Sequence, residues 1–238
     1  MFAYIRNNPQ IEDVVVSGGD AFMLEAEHLR YIGEGLLNIP HIKDIRIASK
    51  GLAVGPMRIN DENDPWTKAL LDINAQAHRQ GVSLALHTHF NHPNEITWIT
   101  KRAMKKLSEQ RLTVRNQTVL LRGINDNVQT MDSLIRSLWD TQIEPYYVYQ
   151  GDMVKSVEDL RTPLWRINMI EQYLRGTMSG YKMPNFVVDL PGGGGKRLAC
   201  SYESYDRETG ISVFKAPAVG GPDKLYYYHD PLERGERE

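Results

Sequence analysis

The chain has 238 residues, with 28 Lys and Arg against 30 Asp and Glu, a net charge of -2 and one cysteine. That length buries a sizeable core, and so balanced a charge gives no general reason to bind nucleic acid or a membrane surface, so the expected partner is a small molecule. One cysteine excludes an internal disulfide and a thiolate metal cluster. No apolar run reaches about 18 residues and the first residues lack a signal-peptide core, so a reducing compartment is expected, the cytoplasm or an organelle matrix.

Taken in order, Met1 to Asn8 reads as the last turn of a helix, stopped at Asn-Asn-Pro. Asp13-Val-Val-Val-Ser17 is a β-branched run closed by Gly18, Gly19 and Asp20, after which Leu24, Leu29, Ile32 and Leu36 recur at helical spacing. The alternation then repeats. Strand patterns run from Asp44 to Ser49, Ser83 to His89, Thr113 to Leu121, Pro145 to Tyr149 and Phe186 to Asp189. Helical patterns between them run from Trp66 to Ala77, Ile96 to Leu107, Met131 to Trp139 and Leu164 to Leu174.

Strands separated by helices of this length predict βαβ units and a mostly parallel sheet, in a partial (β/α) barrel or an open doubly wound sheet. Polar residues at or just past the strand ends favour the barrel, whose ends converge on one mouth: Ser17 to Asp20, Ser49 and Lys50, His87 and His89, Gln117, Tyr149 to Asp152, and Asp189. From Arg197 the segments become short, β-branched and aromatic: Arg197 to Tyr205, Ile211 to Lys215 and Lys224 to His229. The expected fold is α/β, a partial (β/α) barrel over residues 1–196 with a small C-terminal antiparallel β appendage and a charged tail over 197–238.

The most pointed chemistry lies at Val187 to Lys196, where an apolar strand ends in Pro191, then Gly192, Gly193, Gly194 and Gly195, then Lys196. Glycines let a backbone pass close to a bound group, and a lysine amine there suits a Schiff base with a carbonyl cofactor. The plain reading is a glycine turn with a solvated lysine. The P-loop pattern fails, because Arg197 follows the lysine and the first glycine is too near it. Asp152 and Asp189, at the ends of neighbouring strands, suit a cationic ligand, although either alone reads as a cap or turn residue. Tyr147 and Tyr149 share a face by alternation and offer an aromatic wall. His87, His89 and His92 raise a weaker possibility, a two-histidine metallohydrolase, without a cysteine pair or an H-E-x-x-H to support it.

Together, Ser17-Gly-Gly-Asp20, His87-Thr-His-Phe-Asn-His-Pro-Asn-Glu95, Asn116-Gln117 with Leu120-Leu-Arg-Gly-Ile-Asn-Asp126, Pro145-Tyr-Tyr-Val-Tyr-Gln-Gly-Asp152 and Val188 to Lys196 resemble the lysine 2,3-aminomutase family. Those are isomerases that use radical S-adenosylmethionine (SAM) chemistry and pyridoxal 5'-phosphate. The resemblance runs from Tyr4 to about Lys196. It implies that Lys196 is the Schiff-base lysine, with Gly192 to Gly195 and Tyr149 beside the cofactor. It implies that Asp152 and Asp189 hold the side-chain ammonium of L-lysine, on its way to L-β-lysine. Ser17, Gly18, Gly19, Asp20, His89 and Gln117 match contacts to S-adenosylmethionine.

The same resemblance implies a [4Fe-4S] cluster on a C-x-x-x-C-x-x-C motif, and that motif and the family's cofactor-binding arginines are expected upstream of Met1. No metal ligand is assigned in this chain, whose only cysteine is Cys200. The chain is therefore expected to be a fragment, a truncated gene product or a non-catalytic homologue of an enzyme whose complete form acts on lysine or another amino acid. Homo-oligomerisation is left open.

Overall fold

The computed structural model describes residues 1–231. They form two compact units: Met1–Phe90 with Asn94–Asn116 and Leu138–Glu144, and Asn91–Pro93 with Gln117–Ser137 and the chain from Pro145 on.

In the first unit β1 (Asp13–Val16), β2 (Asp44–Ala48), β3 (Ser83–Thr88) and the start of β4 (Thr113–Val119) pair in parallel, Val14 opposite Ile45, Ile45 opposite Leu84 and Leu86 opposite Val114. Helices α1 (Phe2–Arg6), α2 (Ala26–Leu37), α3 (Gly51–Val54), α4 (Pro56–Asn60), α5 (Pro65–Gln80) and α6 (Trp98–Glu109) alternate with them. Leu84 to Thr88 are buried on both faces of β3, as in a strand covered by helices on one side and core on the other. Helix α2 lies against α5 at Gly33, where a Cβ would stand 2.7 Å from Ile73 Cδ1, so the approach needs a residue without a side chain.

Helix α5 begins at Pro65, and Asp64 caps it by accepting from the Thr67 amide and hydroxyl at 2.7 Å each and from Arg58 Nε at 2.8 Å. Burial alone would raise the Asp64 carboxyl, but the bonds from Arg58 and Thr67 outweigh it and hold the group below its ordinary 3.8. The stability they contribute is complete above the unfolded-state value and lost as pH falls through the lower folded one. Asp64→Ala should cost about 2 kcal/mol, seen as a lower melting temperature near neutrality and a smaller gap to wild type in acid.

In the second unit β5 (Glu144–Tyr149) pairs in parallel with β6 (Asn185–Leu190), Val148 opposite Phe186, and β7 (Gly195–Leu198) returns antiparallel along β6. Helices α7 (Val128–Asp140) and α8 (Leu164–Leu174) follow β4 and β5. A separate antiparallel sheet is built from β8 (Ser204–Asp206), β9 (Ile211–Lys215) and β10 (Leu225–His229), in the order β10-β9-β8.

The larger sheet has the strand order β1-β2-β3-β4-β5-β6-β7. An order without a reversal means the β/α units wind in one direction, which is the topology of a (β/α) barrel and not of a doubly wound sheet. The fold is thus a partial barrel of this class with a small antiparallel sheet. Arg197 and Leu198, expected in the appendage, instead continue β7, because the glycine turn sends the chain back along β6. The tail after Pro231 lies outside the described residues, and among those described no helix is long and apolar enough to cross a membrane.

Candidate active site

The glycine stretch is the turn of a β-hairpin. Pro191 opens it, Gly192 and Gly193 take left-handed φ values of 71° and 84°, and Gly195 takes 67°. These are angles at which a side chain would be strained. Gly194 is buried, and a Cβ there would lie 2.7 Å from Leu190 Cβ and 2.8 Å from Tyr226 Cδ1. Gly194→Ala should therefore destabilise the protein by about 1–3 kcal/mol, measurable as a shifted denaturation midpoint. A Cβ at Gly192, Gly193 or Gly195 would meet nothing within 4 Å, so that side of the turn is open.

Turn length sets register, and this register places Asp189 opposite Lys196. Directly opposed residues project on the same face. Lys196 Nζ accordingly donates to Asp189 Oδ2 at 3.1 Å and stands 5.7 Å from the centre of the Tyr149 ring, on the last residue of β5. Tyr147 meets Tyr149 edge-on at 5.3 Å, extending the aromatic wall.

Asp152 lies three residues beyond β5 and reaches solvent. Its carboxyl is raised above the ordinary 3.8 by partial burial and by the neighbouring Asp189 charge, with Lys196 and Arg161 opposing the rise. The Tyr149 hydroxyl is raised too, by burial first and then by Tyr147, Asp189, Tyr146 and Asp152, so it stays protonated and able to donate. Lys196, Asp189, Asp152 and Tyr149, singled out in the sequence, thus share one neighbourhood: two carboxylates and one amine under an aromatic ring.

The turn that carries Asp152 is braced by buried side chains to which the sequence assigned no role of their own. Gln150 and Tyr228 are buried, and the Tyr228 hydroxyl donates to the Gly151 carbonyl at 2.7 Å. Tyr228 lies on β10, far along the chain, and nothing in the local pattern there distinguishes it from Tyr226 or Tyr227.

Gln117 is half-buried within β4, short of its end. Ser17, Gly18 and Gly19 are exposed just past β1 in the first unit, and both glycines have positive φ. Asp20 ties the end of β1 to the end of β2, since its Oδ1 accepts from the Phe22 amide at 2.8 Å and its Oδ2 from the Lys50 amide at 2.9 Å. Burial would raise its carboxyl, but the Ser49 hydroxyl and those two amides prevail and hold it low. His89 follows β3, and its carbonyl accepts from Lys50 Nζ, which also pairs with Glu95 at 3.0 Å. His87 is held neutral near pH 7, its value pushed down to about 4 by burial and by Arg46 and Arg115. Among the described residues no three His, Cys, Asp or Glu side chains are grouped to hold a metal ion.

An L-lysine 2,3-aminomutase from Clostridium subterminale is 45% identical over 193 residues, covering 81% of this chain and 44% of that protein. The chain is a homologue of the lysine 2,3-aminomutases. The enzyme of that name from Bacillus subtilis is 40% identical over 82% of this chain and 39% of its own length. A glutamate 2,3-aminomutase from Clostridioides difficile is 37% identical over 81% of this chain and 43% of its own. The chain thus spans less than half the length of these aminomutase relatives. No family model matches it. A solved radical SAM methyltransferase from Sphaerobacter thermophilus covers 80% of this chain and 55% of its own at a TM-score of 0.47 and 17% identity, too loose a likeness to argue from.

Proposed function

We propose that this chain is the cofactor- and substrate-holding part of a radical SAM, pyridoxal-phosphate-dependent 2,3-aminomutase acting on L-lysine. The observation that carries the reading is the cluster of Lys196, Asp189, Asp152 and Tyr149. Lys196 is an amine on the rim of a turn whose glycines leave open space, beside an aromatic ring, and these are features that fit pyridoxal phosphate. When bound, that cofactor holds an amino-acid nitrogen covalently and spreads unpaired or negative charge into its ring.

The remaining work is done by this chain's own groups. Lys196 would hold the cofactor covalently through its amine, with water as the leaving group, and that nitrogen would then be drawn from its pairing with Asp189. Asp189 and Asp152 would then be two carboxylates short of a cation, which the side-chain ammonium of a lysine substrate would supply. A glutamate substrate would instead bring a third carboxylate. At ~4 Å each like-charge pair costs about 1 kcal/mol in water and about 4 kcal/mol at an effective dielectric near 20, so that each such pair disfavours glutamate by roughly fivefold to a thousandfold. Tyr149, held protonated, supplies ring face and a donor hydroxyl.

The cluster of the radical SAM reaction does not fit this chain's residues. A [4Fe-4S] centre is held by several cysteine thiolates, three in a C-x-x-x-C-x-x-C motif, and the chain has Cys200 alone, exposed. That single cysteine favours a second reading, in which the chain binds an amino acid without turning it over. Calorimetric titration of the chain with L-lysine and L-glutamate, in saturating pyridoxal phosphate, tests the substrate. Preference for lysine supports the proposal and preference for glutamate overturns it. An anaerobic assay with S-adenosylmethionine and a reductant then separates the two readings by the presence or absence of β-lysine.

A further inference from the structure

Asp152 sits on an exposed turn, yet the residues on either side of it are held by one distant strand. The Tyr228 hydroxyl of β10 donates to the Gly151 carbonyl at 2.7 Å, and the next amide, that of His229, meets Met153 Sδ at 3.3 Å. The phenol is itself oriented: it accepts from Gln150 Nε2 at 3.1 Å, while the same amide nitrogen donates to the Thr162 carbonyl. Arg161 lies over the Tyr228 ring at 5.2 Å and donates to the His229 carbonyl. Gly151 fits under this cover because a Cβ there would press on Arg161 Cγ at 3.2 Å.

We infer that Tyr228 is a positioning residue for substrate recognition, its hydroxyl fixing the turn from which Asp152 reaches the cationic end of the amino acid. The reason is geometric. The Gly151 carbonyl and the Asp152 amide belong to one planar peptide, so a bond to that oxygen sets the plane from which the Asp152 side chain departs. Gln150 and Tyr228 are 0% and 1% exposed, so water does not replace the bond if it is lost. The small C-terminal sheet thereby contributes to the chemistry of the larger one: β10 decides where the second carboxylate stands relative to Asp189. This rests on the reading of Asp152 as an ammonium acceptor, and the test is arranged to separate the two.

The experiment is a carbon-13 NMR titration of the aspartate carboxyls in the full chain, assigned with Asp152→Asn and Asp189→Asn, together with L-lysine binding in saturating pyridoxal phosphate. The charged groups facing Asp152 are Asp189, Lys196 and Arg161. In Tyr228→Phe the turn is released, and the Asp152 midpoint should fall toward the ordinary aspartate value as the carboxyl leaves Asp189. The lysine dissociation constant should rise about tenfold. The control is Tyr205→Phe, which removes another hydroxyl of the small sheet, one bonded to Asp230. It should leave both quantities unchanged. If Tyr228→Phe does not fold, Gln150→Met, which removes the group that orients the phenol, should shift both in the same direction. Wild-type values in the variant that folds, or equal shifts in the Tyr205 control, would overturn the inference. Absence of lysine binding by the wild type would instead overturn the reading of Asp152, while the midpoints still decide whether Tyr228 positions it.

Discussion

Lys196→Ala should abolish the borohydride-trapped adduct and the visible band that the wild-type chain is expected to form with pyridoxal phosphate. The expected effect is complete, because alanine leaves no amine at the hairpin rim and the neighbouring Arg197 cannot replace it: a guanidinium keeps its proton and is no nucleophile. Lys196→Arg is the sharper variant. It retains a cation for Asp189, now 3.1 Å from the lysine amine, so the hairpin keeps its cross-strand pair while the adduct is lost. An adduct that survives in either variant would place the reactive amine elsewhere.

The second large effect concerns the acids. Asp189→Asn and Asp152→Asn should each weaken L-lysine binding about tenfold to a hundredfold, the range for a lost charge-assisted hydrogen bond of roughly 1.5–3 kcal/mol, and should raise the relative affinity for L-glutamate. Solvent at Asp152 puts that residue at the lower end. The pH dependence follows from its carboxyl, which burial and then Asp189 hold above the ordinary value. Folding favours the protonated form of such a group. Its contribution to stability is present below the unfolded value and lost as pH rises through the folded one. A bound ammonium favours the ionised form, so lysine affinity should fall as pH drops through the Asp152 titration. Calorimetry in acid and at neutrality measures this, and in Asp152→Asn the slope should flatten.

The order of strands and helices was legible because each unit carries a strong period: Val14 to Val16, Ile45 with Ile47, and Leu84 to Leu86 mark strands, while Leu29, Leu36, Ile73 and Ala77 mark helix faces. The acids were legible as carboxylates at or just past the ends of such strands. Less of the hairpin was. Four glycines announce a turn, but whether the chain then leaves the sheet or returns along it depends on pairing, and Arg197 carries no sign of its opposition to Val188. The short helices α3 and α4 were not anticipated either, since Gly51, Gly55 and Pro56 read as breakers although Phe22 packs on the backbone at Gly51. The brace on Asp152 is the clearest case of what a local pattern omits. Tyr228 and Gly151 are 77 positions apart, and only the fold of the small sheet brings the hydroxyl to that carbonyl.

The measurement closest to the central claim is peptide mapping by mass spectrometry after the chain is reduced with borohydride in saturating pyridoxal phosphate. The account predicts a single major label, on the peptide containing Lys196, reduced in competition by no other lysine. Label distributed over surface lysines such as Lys43, Lys105 and Lys215, or no label at all, would contradict it and leave Pro191 to Lys196 as a hairpin turn whose lysine does no more than pair with Asp189.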